Sequence, residues 1–107
     1  MLNQFNRQIA EEFKKKLLAN QIPLEEIKIF GSRARGDFSP ESDLDVCLIL
    51  RETSPEIEAQ ISRLAWEVGF KHQLIITTVE YTPEAWYNSP LKESPFVKAI
   101  NQEGIIL

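Results

Sequence analysis

Apolar residues at Leu2, Phe5, Ile9, Phe13 and Leu17 return every three or four positions, the spacing that aligns one stripe along a helix. The pattern predicts a helix over about residues 3–19. Asn20-Gln21-Ile22-Pro23 carries stop signals, and Ile27-Lys28-Ile29-Phe30 alternates as a short strand does, so strand one is placed at 27–31. A loop rich in Gly, Ser, Asp and Pro runs from Gly31 to Ser42 and gives way to Leu44-Asp45-Val46-Cys47-Leu48-Ile49-Leu50. That run predicts a second strand buried on both faces. Thr53-Ser54-Pro55-Glu56 has helix-start chemistry, and Ile57, Ile61, Leu64, Ala65 and Val68 form the stripe of a helix expected to end at Gly69. Gln73 to Tyr81 is rich in β-branched residues and predicts strand three. A further helix start at Thr82-Pro83 is interrupted by Ser89-Pro90, and Ser94-Pro95 opens a last short helix that closes before Gly104.

With 107 residues, 43% of them apolar and 26% charged, the chain suits one compact domain over 1–107 and excludes a disordered or coiled-coil reading. No apolar run approaches the roughly 18 residues of a membrane span, and the first residues lack a secretory signal, so a cytoplasmic location without membrane contact is expected. Twelve basic against sixteen acidic residues leave a net charge of −4, which disfavours non-specific nucleic-acid binding. One Cys and one His exclude a zinc site built from those ligands alone.

The stretch that carries chemistry is Gly31-Ser32-Arg33-Ala34-Arg35-Gly36-Asp37-Phe38-Ser39-Pro40-Glu41-Ser42-Asp43-Leu44-Asp45. Its frame is Gly-Ser, three residues, Gly, six residues, then Asp-x-Asp. Gly31 lets the chain turn sharply after strand one, and the free N–H groups that follow can face an anion. Asp43 and Asp45, two apart on an extended segment, are expected on one face, with Leu44 turned into the core. Two carboxylates at the end of an apolar strand repel one another unless a cation lies between them. Hard oxygen donors suit Mg²⁺ or Mn²⁺, which complete their shells with substrate phosphates. A phosphate cradle beside such an ion implies a nucleoside triphosphate, with Arg33 or Arg35 neutralising it, and nucleotidyl transfer as the chemistry. The five fixed positions would arise by chance in roughly one chain in ten thousand of this length.

This segment resembles the signature of the polymerase-beta-like nucleotidyltransferase superfamily, and the short chain resembles its minimal, single-domain members. The resemblance spans about residues 25–80. It implies an α/β (α+β) fold with a small mixed β-sheet of three to four strands backed by helices. It also implies that Gly31, Ser32, Arg33 and Gly36 contact the triphosphate, that Asp43 and Asp45 hold the metal, and that ATP is the substrate. Bacterial minimal nucleotidyltransferases often act as antitoxins beside a HEPN-type helical toxin and transfer AMP to a toxin tyrosine, so such a partner is implied here. One departure stands out. Active members usually carry a third carboxylate on the next strand, where this chain offers Gln73-Leu74-Ile75-Ile76; Glu80 is the only acid of that strand, and Asp37 or Glu41 could substitute. The alternative is therefore a catalytically degenerate relative that binds or neutralises a partner without turnover.

Other motifs yield blander readings. Gly31 to Gly36 has P-loop spacing but lacks the Lys and the Ser or Thr that must follow. Cys47, inside an apolar strand, reads as a small core residue, His72 as structural, and Lys14-Lys15-Lys16 as a solvated helix face.

Overall fold

In the computed structural model, which describes residues 2–107, Asn3 caps the first helix by accepting from the Asn6 N–H at 2.8 Å. Helix α1 spans Gln4–Ala19. Strand β1 (Leu24–Phe30), helix α2 (Ser32–Arg35), strand β2 (Leu44–Leu50) and helix α3 (Pro55–His72) follow. Strand β3 (Ile76–Tyr81), helix α4 (Pro83–Asn88), a 3-10 turn (Pro90–Glu93), helix α5 (Pro95–Glu103) and strand β4 (Ile105–Ile106) complete the chain. The buried stripe of α1 is Asn6, Ile9, Ala10, Phe13 and Leu17. Phe5, assigned to that stripe by its spacing, is 53% exposed, and Asn6 faces inward in its place.

The sheet is mixed, in the order β3-β2-β1-β4. β1 runs antiparallel to β2 and β4, while β2 and β3 are parallel. A parallel pair needs a crossover, and α3 provides it. Strand β2 lies where the apolar run placed it. Strand β1 begins three residues earlier than expected, and Gly31 lies just beyond its end. Helix α3 continues past Gly69 to close at Gln73 in the left-handed conformation, φ 59°. Gly69 is required for a different reason: a Cβ there would meet the Leu74 carbonyl oxygen at 2.6 Å, where the chain folds back toward β3. The two-residue β4 was not anticipated.

Alternation along β2 divides the interior. Leu44, Val46, Leu48 and Leu50 point to the layer of α1 and α3, packing with Ile9, Phe13, Leu17, Ile61 and Leu64. Cys47 and Ile49 point the other way, to Trp86 of α4 and Val97 and Ile100 of α5. The second layer is thinner, built on the short helices α4 and α5, and Phe96 of α5 reaches Phe30, the cross-strand partner of Asp45. No described helix is long and apolar enough to cross a membrane.

Candidate active site

The site grows from the junction of β1, α2 and β2. Gly31 has φ 77°, a left-handed value that a side chain resists, and its carbonyl accepts from the N–H groups of Ala34 (3.1 Å) and Arg35 (3.0 Å). The chain thus passes from strand into helix with no intervening loop. A Cβ at Gly31 would also overlap Asp45 Oδ2, so the glycine is needed twice, once for its turn and once for the carboxylate packed against it.

Register explains why that carboxylate is there. Asp45 is paired across the sheet with Phe30 on one side and Thr77 on the other. Thr77 Oγ1 donates to Asp45 Oδ1 at 2.5 Å. Asp45 is therefore held between Gly31 and Thr77 on the face of the sheet that carries Cys47 and Ile49, while Leu44 is fully buried on the other face, as the alternation requires. Asp43 is half-buried immediately ahead of β2, and the adjacent Leu44 N–H donates to Ile75 O at 2.8 Å, which anchors this end of the strand.

Arg33, expected to face a triphosphate, is placed otherwise. It is 2% exposed. Its Nη1 donates to Asn6 Oδ1 (2.8 Å), its Nε to Ser42 O (2.9 Å) and its Nη2 to Pro40 O (3.1 Å), and its guanidinium lies over the Phe38 ring at 4.8 Å. The side chain ties the 36–43 loop to α1 and so fixes the approach to Asp43. Arg35 remains the cation at the mouth: it is part-exposed, ion-paired with Asp37 and Glu103 at 3.3 Å each, and borders a cavity of about 230 Å³ with Gly31, Phe30 and Phe96. Ser32 opens α2 beside Gly31. Gly36, with φ 95°, ends α2 at its opposite end by donating its N–H to Ser32 O at 2.8 Å, and a Cβ there would meet nothing within 4 Å. Its glycine is explained by backbone conformation.

The position facing Asp45 on β3 is thus Thr77, not the Gln73 to Ile76 segment. Glu80 pairs with Leu48 and so belongs to the opposite face of the sheet. Asp37 is engaged with Arg35, and Glu41 is exposed. Among the described residues no three His, Cys, Asp or Glu side chains group to hold a metal ion. Two carboxylates do suit one small hard cation that draws its other ligands from phosphate and water. The donor set fits that use, since Asp45 is only half-buried and Asp43 stands two residues ahead of it on an extended segment; Asp43 and Asp45 are the residues that would hold the ion. When bound, it would supply charge stabilisation for phosphoryl oxygens.

Two other candidates are accounted for by packing. Burial pushes the Cys47 thiol up to about 12, which removes it as a nucleophile. His72 Nε2 lies 3.0 Å from Glu12 Oε1, an α3–α1 contact on the far side of the sheet. Thr77 and the buried Asn6–Arg33 pair were missed in the sequence. Asn6 gave a faint signal, being a polar residue at a helical position beside the apolar stripe.

Comparison with known proteins identifies the fold and the family. Residues 7–107 match the model of a family described as "Nucleotidyltransferase domain". A Methanocaldococcus jannaschii protein named "Putative protein adenylyltransferase MJ0141" is 34% identical over 76 residues, 69% of this chain and 77% of the relative. Among solved structures, a "toxin-antitoxin with AMP-PNP" superposes with a TM-score of 0.63 at 21% identity, covering 90% of this chain and 70% of the other. A second, "a putative nucleotidyltransferase" from Sulfolobus solfataricus, gives 0.58 at 22% identity over 92% and 76%. At those identities the structural matches speak for the fold, and the sequence matches for the family. With a glycine turned against an aspartate at the head of β2 and a family model spanning nearly its whole length, this chain belongs to the nucleotidyltransferase domain family.

Proposed function

We propose that this chain transfers AMP from ATP, with Mg²⁺ or Mn²⁺, to a hydroxyl acceptor on a partner protein, and that the partner is a HEPN-type toxin modified on a tyrosine. The observation that carries the reading is the seating of Asp45 against Gly31, which sets a carboxylate directly beside the turn that opens α2. Asp43 and Asp45 hold the cation, Gly31 and Ser32 present the turn to the phosphates, and Arg35 supplies positive charge in place of the buried Arg33. The name of the archaeal relative supports adenylyl transfer, and the toxin–antitoxin neighbour supports a toxin as acceptor. Incubating the chain with labelled ATP, Mg²⁺ and the product of the neighbouring gene tests it. Label on a tyrosine of that product is the expected result; an unlabelled product under conditions where ATP binds refutes transfer.

A second reading has its own observation. The β3 residue beside Asp45 is Thr77 rather than an acid, and a neutral hydroxyl cannot accept the proton of an incoming acceptor at neutral pH. A chain that binds nucleotide and neutralises its partner without turnover would keep that ability when Asp43 and Asp45 are both changed to Asn. An enzymatic antitoxin would lose it.

A further inference from the structure

We propose that Thr77 sets this site to a single divalent cation per bound triphosphate. The inference rests on the nucleotidyltransferase reading above and specifies its ion count. A two-ion site needs anionic oxygens that bridge both ions as well as further donors for each. Here the strand register places Thr77, and no acid, directly beside Asp45. The Thr77 hydroxyl gives its one hydrogen to Asp45 Oδ1 at 2.5 Å, so that oxygen already has a partner and Thr77 adds no charge of its own.

The remaining acids do not fill the gap. Asp37 and Glu41 lie exposed in the loop after α2, Glu103 reaches the cavity only from the end of α5, where it pairs with Arg35, and Glu80 is on the opposite sheet face. Asp43 and Asp45 alone match the needs of one Mg²⁺ or Mn²⁺ that keeps waters and takes phosphate oxygens, because such ions are commonly bound through one or two carboxylates. Thr77 is thus a positioning residue that orients the Asp45 carboxylate and, by being neutral, limits what can bind beside it.

The test counts bound Mn²⁺ by electron paramagnetic resonance on the full chain with saturating AMP-PNP, alongside thermal unfolding with and without Mn²⁺. The wild type is expected to hold one ion per bound nucleotide, Thr77→Val also one, and Thr77→Asp two. T77D is further expected to melt lower than wild type in EDTA, since it sets a second carboxylate against Asp45, and to gain more from Mn²⁺ than wild type does. Should T77D not fold, T77E, whose longer side chain relieves that crowding, takes its place. Two ions in the wild type, or one in a folded acidic variant, overturns the assignment of ion count to Thr77 while leaving nucleotide binding intact. Failure of the wild type to take up AMP-PNP at all overturns the transferase reading, and the ion count with it.

Discussion

The two faces of the sheet are built from the same strand and do different work. On one face, Leu44, Val46, Leu48 and Leu50 are sealed beneath α1 and α3, helices of 16 and 18 residues. On the other, the shorter α4 and α5 cover Cys47 and Ile49, and Asp45 lies half-buried at the end of the strand with Gly31 and Thr77. Because successive strand residues point to opposite faces, one heptapeptide supplies both the core and the carboxylate proposed to hold the metal. Stability and function are therefore carried on alternate positions, and substitutions can separate them.

The sharpest separation is expected from Asp45→Asn. Transfer of labelled AMP should fall by about a thousand-fold or more, the scale of removing a group that stabilises developing charge, while the melting temperature changes little. Activity within tenfold of wild type would erase the distinction between the faces. Leu48→Ala should do the reverse: a loss of about 2–5 kcal/mol in urea unfolding, with transfer per folded molecule retained. A smaller effect concerns Cys47, whose folded pKa is raised from 9.0 to about 12 by burial. A raised value means the folded state holds the proton more tightly. Stability from this group is complete below pH 9 and declines as pH rises from 9 toward 12, which pH-dependent urea midpoints will register and a Cys47→Ala control will flatten. The smallest effect belongs to Glu12, held below the ordinary carboxylate range mainly by its hydrogen bond with His72 and then by Lys71. Its contribution is present above pH 4.5 and lost as pH falls through the lower folded value. Glu12→Gln should cost under about 1 kcal/mol at pH 7, since the contact is near the surface.

How much of this was legible in the letters differs by element. Strand β2 could be read directly, because Leu44 to Leu50 is an apolar run interrupted by a single acid, and the turning of Leu44 into the core, away from Asp45, follows from a period of two. Helix α3 was read one turn short, because Gly69 resembles a stop while its real role is to admit the Leu74 carbonyl. Strand β4, two residues long, falls below any periodic signal. Arg33 looked like a phosphate ligand because it follows Gly-Ser. Its true partners, Asn6, Pro40 and Ser42, are set by tertiary packing that spacing does not encode. Thr77 was invisible for a related reason: β3 is β-branched along much of its length, so composition gives no register, and only pairing with β2 shows which residue meets Asp45.

The tryptophans offer a built-in spectroscopic consequence. Trp66 is 66% exposed and stacked on Phe70 at 5.1 Å, whereas Trp86 is 1% exposed, beneath the Lys28 ammonium and beside Tyr81. Iodide in solution reaches the indole of the first and is shut out from that of the second, so emission splits into a quenchable and a protected component. Replacing Trp66 with Phe leaves a lone fluorophore lodged in the thinner layer, and its red shift on heating would report when that layer opens relative to loss of helical circular dichroism.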